Sequence, residues 1–115
     1  MTAVLATAQN QNNGLSSAIE AGNYNFIAGG VYGAFIGAGD KNTNSANVAV
    51  IGAGAENLVG HDARRAFIGA GRGNSIDAWS SNCVVVGGES NSIAANIFSG
   101  FVGGGSLNLV QANVS

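Results

Sequence analysis

The residue types that could carry out chemistry are concentrated between residues 61 and 83 of this chain. A base, an acid that could orient it and several nucleophiles occur there, as His61, Asp62, Ser80, Ser81 and Cys83. Nothing in their spacing requires a catalytic triad, and polar loop residues are the simpler interpretation. We therefore predict that the protein is not an enzyme and has no catalytic residues.

The same region also holds residues suited to recognising a partner. Arginine and tryptophan are among the residue types most enriched at binding hot spots. An exposed tryptophan also suits stacking on a sugar ring. The candidate contacts to a partner or receptor are His61, Arg64, Arg65 and Trp79. The alternative is a solvated loop in which Trp79 packs against its own coil or a neighbouring chain.

Cofactor and metal sites find little support in the sequence. Cys83 is the only cysteine, His61 is the only histidine, and the carboxylates fall at scattered positions. The Gly-Ala-Gly segments that start at residues 37, 52 and 69 resemble part of a dinucleotide-binding fingerprint, but no helix follows them to receive a pyrophosphate. We expect no cofactor and no metal ion.

Composition limits the classes of partner. Charged residues make up 9% of the sequence, and the net charge is −2 with only four basic residues. Such a chain offers no electrostatic footprint for nucleic acid or for an anionic membrane. Its apolar stretches are interrupted by glycine and asparagine and are shorter than the roughly 20 residues that a membrane span requires. We predict neither a nucleic-acid partner nor membrane insertion.

The elements that must position these residues form an internal repeat, and the repeat decides the architecture. In each unit an apolar residue is followed three positions later by glycine and six positions later by asparagine. The units open at Ile19, Ile36, Ile51, Ile68, Val85 and Val102, at spacings of 17, 15, 17, 17 and 17 residues. The glycines and asparagines of the three central units are Gly39, Asn42, Gly54, Asn57, Gly71 and Asn74.

Each unit predicts two short strands joined by a turn. Segments such as 66–70 are apolar on both faces, with a β-branched residue at the centre and a glycine boundary. Glycine and asparagine then turn the chain, and the asparagines are expected to stack as a ladder along the solenoid. Glycine, asparagine and β-branched residues disfavour helix throughout. The predicted fold is all-β, a parallel β-roll or β-helix solenoid of about six 17-residue coils.

A strand that is apolar on both faces needs a cover on each face. One face can point into the coil, and the other must be buried by another element or another chain. We expect a homotrimer in which Phe35, Val50, Phe67, Val84, Phe101 and the neighbouring glycines line a shared axis. Residues 1–16 are predicted to be an N-terminal arm that docks on a partner, followed by a β-roll repeat domain over 17–115.

A family resemblance follows from three segments of the repeat. Residues 34–39, 48–54 and 66–71 read AFIGAG, VAVIGAG and AFIGAG, and they resemble the head repeats of YadA-like trimeric autotransporter adhesins. Similar repeats occur in bacteriophage tail-fibre and virion surface proteins. The resemblance implies a trimeric, left-handed parallel β-roll over about residues 17–112, and it specifies the fold better than the partner.

The departures from adhesin heads shape the functional expectation. Those heads usually have a shorter repeat and belong to long chains with a signal peptide, a stalk and a membrane anchor, whereas this sequence starts at Met1 without such parts. We therefore expect a trimeric structural protein at the virion surface, either a phage capsid decoration (cement) protein or a tail-fibre component, bound to capsid or tail proteins. The alternative is an adhesin-like head at the bacterial cell surface that binds a host glycan or protein.

Overall fold

The fold is a stack of short strands that form two parallel sheets. The structure is a computed structural model and describes residues 2–4 and 9–112, which contain fourteen strands and no helix. The first sheet contains β1 (Thr2–Val4), β3 (Ser17–Ile19), β5 (Phe35–Ile36), β7 (Val50–Ile51), β9 (Phe67–Ile68), β11 (Val84–Val85) and β13 (Phe101–Val102). The second sheet contains β2 (Gln11–Asn12), β4 (Phe26–Ile27), β6 (Thr43–Asn44), β8 (Leu58–Val59), β10 (Ser75–Ile76), β12 (Ser92–Ile93) and β14 (Leu109–Val110).

Every strand pairs in parallel with the strand one coil before or after it. In the first sheet Ile36 pairs with Ile51, and Ile51 pairs with Ile68. We number the coils by their opening residues, which are Val4, Ile19, Ile36, Ile51, Ile68 and Val85 for coils 1 to 6, while Val102 opens a partial seventh coil. Coils 1 and 3 have 15 residues and the others have 17. The prediction of an all-β parallel solenoid of about six coils is confirmed.

The solenoid begins earlier in the chain than the repeat predicts. Strands β1 and β2, which lie in the predicted N-terminal arm, pair with β3 and β4. Asn10 extends the asparagine column, because its Oδ1 accepts a hydrogen bond from the Asn25 backbone amide at 3.0 Å. The pattern missed this coil because Thr7 stands where the other units carry glycine. Residue 1, residues 5–8 and residues 113–115, which include parts of the predicted arm and domain, lie outside the described residues.

The core is a narrow double column of aliphatic side chains between the two sheets. Because side chains alternate along a strand, each two-residue strand points one side chain inward and the other outward. The inward residues are fully buried and include Ile19, Ile36, Ile51, Ile68 and Val85 from the first sheet and Ile27, Val59, Ile76 and Ile93 from the second. The aliphatic residues that open the units therefore fill the coil, as the repeat predicts.

The asparagines form the predicted ladder, and those of coils 2 to 6 are buried. Asn57 Nδ2 donates to Asn42 Oδ1 at 3.0 Å, and Asn74 Nδ2 donates to Asn57 Oδ1 at 3.1 Å. The sequence suggested that the asparagines adopt the left-handed backbone conformation, but they do not. The residue before each asparagine adopts it instead, such as Lys41 (φ 58°) and Glu56 (φ 56°). The asparagines themselves satisfy the amides and carbonyls that the turn would otherwise leave buried without partners.

Close stacking of the coils accounts for the glycines of the repeat. A β-carbon on Gly39, Gly54 or Gly71 would collide with the carbonyl oxygen of the corresponding glycine in the next coil. A β-carbon on Gly37, Gly52 or Gly69 would likewise collide with a carbonyl oxygen of the next coil. At these positions the sequence suggested that glycine allows chains to approach one another. The contact that excludes a side chain at these positions is therefore between coils of one chain.

Candidate functional site

The predicted contact residues lie on the return segments, which connect the second sheet of one coil to the first sheet of the next. Coils 4, 5 and 6 have return segments two residues longer than that of coil 3. Backbone hydrogen bonds hold these longer segments side by side, from Trp79 N to His61 O and from Asn82 N to Arg64 O, both at 2.9 Å. Residues one repeat apart in sequence therefore become neighbours along the solenoid.

A groove of about 430 Å³ runs across the three long return segments. Three of the four predicted contact residues, Arg64, Arg65 and Trp79, line it together. Phe98, which the sequence pattern did not single out, also lines the groove and is highly exposed. Its position one repeat after Ser81 is the signal that could have placed it there, because Ser81 is itself one repeat after Arg64.

His61, the fourth predicted residue, supports the groove from outside. Its ring meets the Trp79 ring edge-on, with centroids 5.5 Å apart and an interplanar angle of 85°. His61 Nε2 lies 2.9 Å from Asp62 Oδ2, while Arg64 Nη2 lies 3.2 Å from Asp62 Oδ1. Asp62 therefore couples the histidine that holds Trp79 to one of the two arginines.

Arg65 differs from the other basic residues in its partners. Its Nε donates to Asn82 Oδ1 at 2.9 Å, which joins coil 4 to coil 5. Arg64 pairs with a carboxylate, as do Lys41 and Arg72, at nitrogen–oxygen distances of 3.2, 3.9 and 3.2 Å. Within the described residues, Arg65 is the basic side chain that forms no ion pair with a carboxylate.

The potential nucleophiles do not converge on His61. Ser80 is buried and its Oγ donates to the carbonyl of Ala94 at 2.7 Å. Cys83 is also buried, and burial raises the pKa of its thiol above the ordinary value, although a hydrogen bond from the Gly100 amide opposes this shift. Among the described residues, the imidazole forms no hydrogen bond to a serine or cysteine side chain. The polar partner of the imidazole in the described structure is therefore its neighbouring aspartate and not a nucleophile.

A second surface of interest is the outer face of the first sheet. Its outward side chains in successive coils are Phe35, Val50, Phe67, Val84 and Phe101, so that it is apolar along its length. The outward side chains of the second sheet are mixed, with Gln11, Thr43, Ser75 and Ser92 among Phe26, Leu58 and Leu109. The two sheets therefore differ on the outside although both bury aliphatic residues on the inside.

The described residues show neither a metal-binding cluster nor a membrane span. No group of three or more histidine, cysteine, aspartate or glutamate side chains in this part of the chain could hold a metal ion. The same part has no helix of the length and hydropathy needed to cross a membrane. Comparisons of the chain with protein-family models, with curated proteins and with solved structures found no match.

Proposed function

We propose that this chain is a non-enzymatic structural protein that assembles as a homotrimer and forms part of a virus particle, as a phage capsid decoration protein or a tail-fibre component. The observation that carries the proposal is the apolar outer face of the first sheet. Half-buried or exposed aromatic and aliphatic residues follow one another there through five coils, from Phe35 to Phe101. A continuous exposed apolar strip of this kind is typical of a protein–protein interface.

The width of the strip favours three chains over two. Each strand contributes one outward side chain, and Gly37, Gly52, Gly69 and Gly103 lie two residues beyond it in four of the coils, with Val86 as the exception. A strip one side chain wide offers little area to a single flat partner, whereas stable interfaces bury about 800 Å² on each side. Around a three-fold axis each chain contacts two neighbours, and three narrow strips close on one another. Burying a phenylalanine in this way contributes about 1.5–3 kcal/mol.

Light scattering coupled to size exclusion tests the assembly. The wild-type chain should elute with three times its monomer mass of 11.3 kDa. Phe67→Glu should dissociate the trimer, because the charge would be buried at the axis without a partner. Leu58→Glu is the matched control, since Leu58 and Phe67 are both 39% exposed and lie in consecutive strands, β8 and β9, of different sheets. The proposed interface would be contradicted if the wild-type chain is a monomer, or if both variants dissociate the trimer equally.

The assignment to a virus particle is tested separately. It is supported by the resemblance of the repeat to phage fibre and virion proteins and by a fold that offers a rigid, stackable rod. Particles purified from cells that produce this chain should carry it through a density gradient, in a copy number divisible by three. If the trimer never sediments with particles, the proposed assembly still holds, but the assignment to a virus particle is wrong.

A further inference from the structure

We propose that the groove across coils 4 to 6 binds an acidic sugar, a pyranose that carries a carboxylate, as one unit of an oligosaccharide. The proposal goes beyond the structural role and does not depend on the oligomeric state. It rests on three kinds of group that line one concavity: an exposed aromatic ring, an arginine that forms no ion pair in the described structure, and neutral amide side chains. The groove volume of about 430 Å³ falls within the usual range of ligand sites.

The aromatic group is Trp79, which is 52% exposed. Its ring lines the groove, while His61, which contacts it edge-on, does not. The histidine therefore contacts the indole without lining the groove, and Trp79 keeps about half of its surface exposed. The C–H face of a pyranose is apolar and can cover such a ring. Phe98, one coil further on, extends the aromatic surface.

The backbone at Trp79 adopts the left-handed conformation, with a φ of 65°, as do thirteen other non-glycine residues of the described structure. The equivalent positions in the other long coils are occupied by Gly30, Asp62 and Asn96. Glycine, asparagine and aspartate adopt this conformation readily, whereas a bulky side chain costs roughly 1 kcal/mol there. Coil 5 therefore carries an aromatic residue where the other long coils carry small or polar ones.

The charge of the groove favours an anion. Asp62 is already paired with Arg64 and His61, so its carboxylate is engaged within the protein. Arg65 adds a positive charge with no carboxylate partner in the described structure, although the chain as a whole carries −2. Only its Nε is bonded to Asn82, which leaves the guanidinium a second edge for a ligand carboxylate. Such charge-assisted pairs are roughly twice as strong as neutral hydrogen bonds.

Neutral groups in the groove match the hydroxyls of a sugar. Asn82 and Asn96 carry both donor and acceptor atoms on their amides, and Ser81 adds a hydroxyl. Together with the arginines, they come from three adjacent coils that repeat at about 4.8 Å. The return segment of coil 3 is two residues shorter than that of coil 4. The groove therefore ends at coil 4, where Asp62 lies at its edge. A ligand of a few sugar units fits this length.

A nucleic acid would use similar stacking but needs more positive charge. Each phosphate of a bound strand is normally neutralised by lysine or arginine. The chain has four basic residues, and two of these, Lys41 and Arg72, pair with carboxylates outside the groove. Arg65, the one arginine without an ion-pair partner in the described structure, matches a single carboxylate better than a chain of phosphates.

Tryptophan fluorescence tests the proposal directly, because Trp79 is the only tryptophan in the chain. The probe is a hexasaccharide of alternating glucuronate and N-acetylglucosamine. The two comparison ligands are the neutral N-acetylglucosamine hexasaccharide and hexathymidylate. The acidic sugar should change the Trp79 emission in a saturable manner and bind at least tenfold more tightly than either comparison ligand.

Two arginine variants separate the site from general charge attraction. Arg65→Gln should weaken binding of the acidic hexasaccharide about tenfold, close to the level of the neutral one, because one charge-assisted interaction is lost. Arg72→Gln, which removes an exposed arginine outside the groove, should leave the affinity unchanged. Raising salt from about 20 mM to about 500 mM on the wild-type chain should weaken binding of the acidic hexasaccharide and leave binding of the neutral one unchanged, which keeps the test independent of variant folding.

Several results would overturn the proposal. They are equal affinity for acidic and neutral sugars, tighter binding of hexathymidylate, equal losses from Arg65→Gln and Arg72→Gln, or no change in Trp79 emission at millimolar sugar. The mass of each sample, measured in parallel, shows whether the trimer is intact. If a monomer binds the sugar, the proposed trimer is wrong and the sugar site still holds. If a trimer binds no sugar, the sugar site is wrong and the trimer still holds.

Discussion

At the scale of single residues, the asparagine of each coil has the largest polar role in the core. Asn57 illustrates it: Nδ2 reaches the carbonyl of Gly71 at 3.0 Å, and Oδ1 accepts from the backbone amide of Asn74 at 3.0 Å. No buried side-chain nitrogen or oxygen in the described residues lacks a hydrogen-bond partner. The ladder therefore joins consecutive coils because one asparagine amide supplies both a donor, Nδ2, and an acceptor, Oδ1.

Removing one central rung should cost more than removing the last. We expect Asn57→Ala to lower the free energy of unfolding by about 3 kcal/mol, because the Asn74 amide and the Gly71 carbonyl lose a buried partner. Asn108→Ala is the control, since Asn108 is the exposed last rung and donates only to Asn91 and Gly104. Its cost should stay below about 1 kcal/mol in denaturant titrations. Equal losses would mean that the ladder adds nothing to the local turn.

At the scale of elements, the length of a return segment depends on one inward residue of the second sheet. In both 15-residue coils this residue is asparagine, Asn12 or Asn44, and in the 17-residue coils it is isoleucine or valine. Asn44 Nδ2 donates to the carbonyl of Ala49 at 2.8 Å, and its Oδ1 accepts from the amide of Ala46 at 3.3 Å. Asn12 makes the same two bonds, to the residues five and two positions later. The asparagine side chain thus closes the shorter return.

Replacing this asparagine by the aliphatic residue of the long coils should therefore destabilise the protein. We expect Asn44→Val to lower the free energy of unfolding by about 2 kcal/mol, because the Ala49 carbonyl is left without its side-chain donor in a buried site. Ile76→Val, a change at the equivalent position of a long coil, should cost about 1 kcal/mol. Stabilisation by Asn44→Val, which burial of apolar surface alone would predict, would contradict the role of the side chain.

At the scale of the whole molecule, the solenoid is a one-dimensional stack. Its extents are 45 × 25 × 15 Å, and each coil packs on the coil before it and the coil after it. Stability in such arrays is close to a sum of coil terms and nearest-neighbour terms. Within the described residues, the coil that opens at Val102 has a neighbouring coil on one side, and its Leu107 and Leu109 are largely exposed. We therefore expect the C-terminal end to open before the centre.

Hydrogen exchange measures this gradient. Amides of coils 3 to 5, such as Gly52 and Phe67, donate to carbonyls of the next coil and should exchange most slowly. Amides over residues 101–110 should exchange at least tenfold faster, because β13 and β14 are edge strands of the described sheets. A trimer shields the strip but not the end of the stack, so the order should persist in the assembled state. Uniform protection along the chain would contradict opening from the end.

Most of the fold could be predicted from the sequence because the repeat acts at short range. Each unit carries its own strand, turn and inward residue, so six copies at regular spacing determine the solenoid and its asparagine ladder. The first coil could not be recognised, since Thr7 replaces its glycine and Asn12 its inward aliphatic residue. The clash between coils that excludes a side chain at Gly37 and Gly52 could not be predicted, because it has no signature within one unit.

The candidate site shows where sequence reasoning ends. The sequence by itself determined that Arg64, Arg65 and Trp79 interrupt the repeat and that each sits in a return segment. Only the tertiary structure decided that these residues share a groove with Phe98, and that His61 stands behind the tryptophan. The physical reason is that parallel stacking brings residues one repeat apart to within a strand spacing, while the direction of each side chain depends on the left-handed backbone of the return segments.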